Sequence, residues 1–203
     1  MKSLNPKIIL ASSSPRRKEV LERVVSSIRV ITPNVDESRR PGEALAPFLR
    51  RVSLEKARSV YENVKTDPVV IIAADTVVVY RNQVLGKPKG HSDALKTLKL
   101  LSGKTHRVLT SYSIISQKKK VTRVITSRVW MRSYSLREIR GYLLQNESMD
   151  KAGAYGIQGA GAALVARVEG SYTNIVGLPL AEVVQDLQKN FGMSIWTRKI
   201  REI

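Results

Sequence analysis

The first apolar block, Ile8-Ile9-Leu10-Ala11, stops at Ser12-Ser13-Ser14-Pro15. A short unbroken apolar run ending in turn formers predicts a buried strand that delivers the chain into a tight loop. Ser14 suits a helix N-cap and Pro15 the first helical position, so a helix is predicted through about Val25. Ile28 to Ile31 reads as a second short strand, and Thr32 to Gly42 as a polar loop. From Ala44 to about Asn63, the residues Leu45, Leu49, Val52, Ala57 and Val60 recur at helical spacing. Val69 to Tyr80 is β-branched and nearly all apolar, the pattern of a central strand.

Arg81-Asn82-Gln83 turns the chain into a short return strand at Val84-Leu85. Ser92 suits the cap of a helix running to Leu101 and closed by Gly103. Val108 to Ser116 and Val121 to Arg132 alternate as long strands around Lys118-Lys119-Lys120, which predicts a hairpin at a sheet edge where lysines discourage pairing. Ser135 and Glu138 form a capping-box pattern for a helix to about Leu144. Gly153 to Gly161 is a loop of small residues, Ala162 to Val168 another strand, and Tyr172 to about Lys189 contains the last long helix. Strands interleaved with helices, plus one hairpin, predict an α/β fold around a mixed sheet. The 203 residues fit one large domain or two lobes around one continuous core.

Composition narrows the chemistry. The chain has no cysteine, which excludes disulfides, thiolate metal sites and cysteine nucleophiles. Two histidines, His91 and His106, make a multi-histidine zinc site an unfavourable reading. No apolar run reaches transmembrane length, and Met1 to Pro6 lacks a leader's apolar stretch, so a cytoplasmic protein without a membrane partner is expected. Thirty-five Lys plus Arg against seventeen Asp plus Glu give a net charge of +18, an attraction for anions that does not choose among nucleotide, nucleic acid and membrane surface. A basic nucleic-acid-binding protein without catalysis is the alternative this charge suggests. It would want aromatics interleaved with basic residues, whereas aromatics are 5% of the chain.

Three segments carry candidate chemistry. The junction Leu10 to Arg17 leads a strand into a helix N-terminus, where backbone N–H groups and the helix dipole favour an anion. Arg16 and Arg17 oppose that dipole, so they either face an anion or are simply solvated. Asp75 stands inside Val-Ile-Ile-Ala-Ala-Asp-Thr-Val-Val-Val, a costly place for a carboxylate unless it is paired, capping or metal-bound. Asp36 and Glu37 are adjacent acids that either hold magnesium or form an ordinary polar loop. Lys56 and Lys87 are weak signals individually. Gly103-Lys104-Thr105 resembles the end of a P-loop, but Leu98 stands where the earlier glycine belongs and the segment follows a helix.

Together these segments resemble the Maf family of nucleoside-triphosphate pyrophosphatases over nearly the whole chain. The matching stretches are Leu10 to Arg17, Val35-Asp36-Glu37, Glu55-Lys56-Ala57, Ala74 to Val78, Gly86-Lys87-Pro88, Leu101 to His106, Asp150 to Gly159 and Gly177-Leu178-Pro179-Leu180. The resemblance implies a single domain over 1–203, a two-lobed α/β fold similar to the inosine-triphosphate pyrophosphatases with the nucleotide in a central cleft. It also implies a homodimer and a Mg²⁺ or Mn²⁺ cofactor. Asp75 is then the carboxylate that activates water, with Glu37 a second acid for the metal or the water. Ser14, Arg16, Arg17, Lys56, Thr76, Lys87 and Gln158 are the implied substrate-binding set. Arg16, Thr76 and Gln158 match positions associated with base choice, in the combination of the subfamily acting on dTTP and UTP. One departure is Ser53, where a small apolar residue is usual, a change expected to touch helix packing and not chemistry.

Overall fold

The structure, a computed structural model, describes residues 6–64 and 68–195. Residues 1–5, read above as lacking a leader's apolar stretch, lie outside the described residues. The described strands, β1 (Lys7–Ala11), β2 (Ile28–Ile31), β3 (Val69–Tyr80), β4 (Gln83–Leu85), β5 (Thr105–Ile115), β6 (Lys120–Met131) and β7 (Val165–Glu169), make one seven-stranded mixed sheet, ordered β2-β1-β3-β5-β6-β7, with β4 paired to β3. The chain divides into two compact units, Met1–Asp75 with Thr110–Ile125 and Gly177–Ile203, and Thr76–Leu109 with Thr126–Val176.

In the first unit, β1 (Lys7–Ala11) is the apolar block expected, lying parallel to both β2 (Ile28–Ile31) and β3 (Val69–Tyr80), with Ala11 opposite Ile31 and Ala73. Helix α1 (Pro15–Glu22) is shorter than the pattern suggested, because its last turn tightens onto the Leu21 carbonyl, which accepts from the N–H groups of both Val24 and Val25. Helix α2 (Leu45–Val64) buries Leu49, Val52, Ser53, Lys56, Ala57 and Val60 along one stripe. Ala57 and Val60 pack against Ile9, Ala11, Val69, Ile71, Ala73 and Ile115.

The β5 (Thr105–Ile115) and β6 (Lys120–Met131) segments inside this unit are polar within. Ser53 Oγ lies 2.9 Å from Ser111 Oγ and 3.0 Å from Ser113 Oγ, and donates to the Arg50 carbonyl. Ser111 Oγ donates to the Arg123 carbonyl, and Ser113 meets Thr122 at 2.9 Å. The hydroxyl at position 53 is thus matched by hydroxyls on β5, so the departure from an apolar residue costs no unsatisfied group. On α6 (Leu180–Phe191), buried Asp186 accepts from Tyr112 at 2.6 Å and from two nitrogens of Arg123. The Arg123 hydrogen bonds hold its carboxyl below the usual range.

In the second unit, β3 turns into β4 (Gln83–Leu85) through Arg81 and Asn82, both at positive φ as a tight two-residue hairpin requires. Helix α3 (His91–Leu101) starts one residue before the expected Ser92 cap: Gly90 is its N-cap, and Asp93 reaches back to accept from the Lys89 N–H at 3.0 Å. Gly103, at φ 66°, closes this helix, as expected of a terminator and not of a P-loop. Helix α4 (Leu136–Leu143) carries the full Ser135–Glu138 capping box. The hairpin β5–β6 is not simply an edge: β7 (Val165–Glu169) covers Arg128 to Met131 of β6. That strand begins later than Ala162, because Ala160–Leu164 is a 3₁₀ turn, as is Ala152–Ala154. The final helical region is two helices, α5 (Tyr172–Val176) and α6, separated at Gly177, whose φ of 123° no other residue type readily adopts. A core of Val78, Tyr80, Leu98, Leu101, Val129, Ile139, Tyr142 and Leu164 fills this unit.

Candidate active site

Four charged side chains gather in the first unit. Lys56 enters on the buried stripe of α2, where helical periodicity asks for an apolar residue, and is 4% exposed. Its ammonium donates to Asp75 Oδ1 at 2.8 Å and lies 2.7 Å from Glu37 Oε2. Asp75, 8% exposed, projects from the middle of β3, so the acid inside the apolar strand is indeed paired. Glu37 arrives from the polar loop with its side chain 57% exposed. Its neighbour Asp36 points elsewhere, accepting from the N–H and hydroxyl of Ser38 at 2.8 Å each, and that hydrogen bonding lowers its pKa. Of the two adjacent acids, one ties its own loop and the other reaches Lys56.

Arg17 completes the group. Its Nε donates to the Gly177 carbonyl at 2.9 Å and its Nη1 to Ser12 Oγ at 3.2 Å, so the first turn of α1 is tied to the break between α5 and α6. Burial depresses its pKa. Asp75 and Glu37 oppose that shift, and Arg16 adds to it. Ser14 occupies the N-cap position, but its hydroxyl makes no cap hydrogen bond; its N–H donates instead to Ser12 Oγ at 3.1 Å. The serine that organises this turn is therefore Ser12, buried at the end of β1. Arg16 is half-buried beside it on α1. Burying charges is expensive unless they are matched, and the buried Lys56–Asp75 pair meets that condition.

The carboxylate pair fits a hard divalent ion. Among the described residues no group of three or more His, Cys, Asp and Glu could hold a metal. A magnesium-type ion needs no such cage: it uses one or two carboxylates and fills its shell with water and phosphate oxygens. Glu37 and Asp75 already converge on one cationic point, the Lys56 ammonium. A cavity of about 340 Å³, lined by Lys7, Ile8, Arg23, Val25 and Met193 among others, lies at the opposite end of β1. Lys7 pairs there with Val69, six residues before Asp75.

Thr76, Lys87 and Gln158 belong to the second unit. Thr76 follows Asp75 on a strand that continues to Tyr80, so the two side chains leave opposite faces. Lys87 is exposed after Gly86, whose carbonyl accepts the Gly153 N–H at 3.1 Å. Gln158 is exposed at the tip of a loop that is pinned throughout. Gly153 and Ala154 have φ of 74° and 60°, and Tyr155 meets His106 Nε2 at 2.7 Å. The Gly156 N–H donates to the Tyr142 hydroxyl at 3.0 Å, and a Cβ on Gly161 would approach the Gly156 carbonyl oxygen to 2.6 Å. Small residues here serve close packing under Gln158. His106, Tyr155 and Tyr142, which hold it, escape sequence reasoning because their partners are 14 to 49 positions away.

A family model described as Maf-like protein matches residues 7–190. The dTTP/UTP pyrophosphatase of Clostridioides difficile (strain 630) is 46% identical over 191 residues, covering 93% of this chain and 97% of its own. That of Hahella chejuensis (strain KCTC 2396) is 43% identical over 192 residues, covering 94% and 95%. That of Vibrio cholerae serotype O1 is 43% identical over 183 residues, covering 90% and 97%. Among solved structures, the Staphylococcus aureus Ham1 protein aligns with a TM-score of 0.41 and 14% identity, over 62% of this chain and 70% of that one.

Proposed function

Because the chain belongs to the Maf-like protein family, we propose that it hydrolyses dTTP and UTP to the monophosphate and pyrophosphate, by metal-assisted attack of water at the α-phosphorus. The observation that carries this reading is the Glu37–Lys56–Asp75 bridge beside Arg17. Asp75 offers Oδ1 to a cation, Lys56 in this structure, which leaves Oδ2 to orient the attacking water and take its proton. Lys56 and Arg17 face the charge that builds on the phosphoryl oxygens and the departing pyrophosphate, with Arg16 and Lys87 as further phosphate ligands. A Mg²⁺ or Mn²⁺ held by Asp75 and Glu37 supplies charge neutralisation of the triphosphate when bound. Family resemblance supports a cytoplasmic homodimer; no described helix is long and apolar enough to cross a membrane.

Pyrophosphate release from UTP, dTTP, CTP, GTP and ATP with Mg²⁺ or Mn²⁺ tests the reading. UTP and dTTP are expected to lead, and release from none of the five would refute it. In the same panel, Gln158→Ala is expected to reduce the preference for UTP and dTTP over purine triphosphates, since an amide offers both donor and acceptor to a pyrimidine edge. A uniform fall in kcat/KM across all five would make Gln158 a loop residue only.

Arg17→Ala is expected to weaken triphosphate binding by roughly 1.5–3 kcal/mol, the scale of a charge-assisted hydrogen bond. The loss should shrink for the monophosphate, as titration calorimetry with both nucleotides would reveal. Equal losses would mean that Arg17 acts through its ties to Ser12 and Gly177 and not on the pyrophosphate end.

A further inference from the structure

We propose that Lys56, in the nucleotide-free protein, fills the position a divalent ion takes between Glu37 and Asp75, so that the ion enters with the triphosphate and not before it. The inference rests on the reading of those two carboxylates as the metal's protein ligands. The ammonium sits 2.7 Å from Glu37 Oε2 and 2.8 Å from Asp75 Oδ1. A magnesium ion bound to the same oxygens would lie about 2.0–2.1 Å from each, which places the two cations on overlapping ground. Both volume and like charge forbid joint occupancy, so one must displace the other.

Lys56 holds that ground firmly. Its side chain is 5% exposed and rises from a stripe of α2 packed by Val52, Ser53, Ala57 and Val60, so the ammonium is no swinging surface charge. Removing it without a substitute would strand the buried Asp75 carboxylate beside Glu37, a costly state. A bare ion can substitute for the charge, but it leaves Lys56 without its carboxylates and still needs four or so further oxygens. A triphosphate changes both sides of the exchange. Its oxygens accept from Lys56 as the carboxylates are surrendered, and others complete the ion's coordination. Metal and nucleotide therefore bind with positive coupling, each raising the affinity of the other by the same factor.

Binding of Mn²⁺ alone to the full chain, read from the electron paramagnetic resonance signal of free Mn²⁺, tests this without turnover. Wild-type protein is expected to take Mn²⁺ weakly. Lys56→Met and Lys56→Gln are expected to take it roughly ten-fold more tightly or better, a typical coupling between sites. Adding Glu37→Gln to either should abolish the gain. A folded Lys56 variant with unchanged Mn²⁺ affinity overturns the inference, as does a gain indifferent to Glu37→Gln. Lys56→Gln keeps a hydrogen-bond donor for Asp75 should the Met variant fail to fold. Tight Mn²⁺ binding by the wild-type protein alone overturns the inference with no variant at all. Pyrophosphate release by wild type with no Mn²⁺ gain in the variants leaves the enzymatic reading standing and removes only the competition. The reverse pattern removes the enzymatic reading.

Discussion

Asp75→Asn is expected to lower turnover of UTP by about two to four orders of magnitude, the usual contribution of a positioned general base. The substitution is nearly isosteric, and β3 runs unbroken on both sides of the position, so the fold should survive. An asparagine oxygen can still accept from Lys56, and Lys56 keeps Glu37 as an anionic partner. What disappears is the group that can take a proton from water. Pyrophosphate release at saturating UTP and Mg²⁺, alongside a thermal melt by circular dichroism, separates the two roles. Near-normal turnover in a folded variant would make Asp75 structural and transfer the base role to Glu37.

Stability should also fall between pH 6.5 and 4, through one imidazole. Burial lowers the pKa of His106, 2% exposed, from 6.5 to about 4. The unfolded chain takes up this proton near pH 6.5, whereas the folded protein refuses it until about pH 4. Within that window the unfolded state binds more protons, so folding stability declines as pH falls and is fully present only above it. Two and a half pKa units correspond to about 3 kcal/mol by pH 4. Glu43, held near 2 by Arg51, and Glu138, held near 2 by the Ser135 N–H and Arg132, lose their stabilising ionisation only below about pH 4.5. Their window lies beneath that of His106. Urea midpoints from pH 8 to 4.5 should therefore slope downward for the wild-type protein and stay flat for His106→Gln, whatever its baseline. Parallel slopes in the two proteins would assign the effect to other groups.

Much of this arrangement is written locally in the chain. Eleven β-branched and apolar residues could hardly form anything but a central strand, and an acid among them announces a partner. The partner was less visible. Lys56 draws attention only through family resemblance, although its place on the buried stripe of α2 carries the physical signal: a lysine there needs an anion. Other features depend on contacts that no local pattern records. The segment 160–164, almost all glycine and alanine, has neither helical nor strand periodicity, and it curls into a 3₁₀ turn because Gly161 must lie against Gly156. Ser14 stands at the N-cap position of α1, yet its hydroxyl makes no cap hydrogen bond and the Ser12 hydroxyl two residues earlier takes the Ser14 N–H. The hairpin read as an edge is covered along a third of β6, since the short β7 reaches only Arg128 to Met131.

The hydroxyls between α2 and β5 do not have enough protons to go round. Ser53, Ser111, Ser113 and Thr122 bring four hydroxyl hydrogens to five contacts, two of which end on carbonyls that can only accept. If Ser53 donates to the Arg50 carbonyl and Ser111 to the Arg123 carbonyl, the 2.9 Å approach of Ser53 to Ser111 holds no hydrogen at all. If Ser53 turns to Ser111, the Arg50 carbonyl gives up this second donor and keeps the backbone N–H that helix α2 supplies. Either oxygen can donate at the Ser53–Ser111, Ser53–Ser113 and Ser113–Thr122 contacts, so more than one arrangement of hydrogens is compatible with these oxygen positions. Taking the Ser53 oxygen away would leave two contacts, Ser111 to the Arg123 carbonyl and Ser113 to Thr122, with three hydrogens to serve them. Both of those contacts still close without Ser53, and with it every Ser53 oxygen contact has a polar partner, so serine can stand here in place of a small apolar residue.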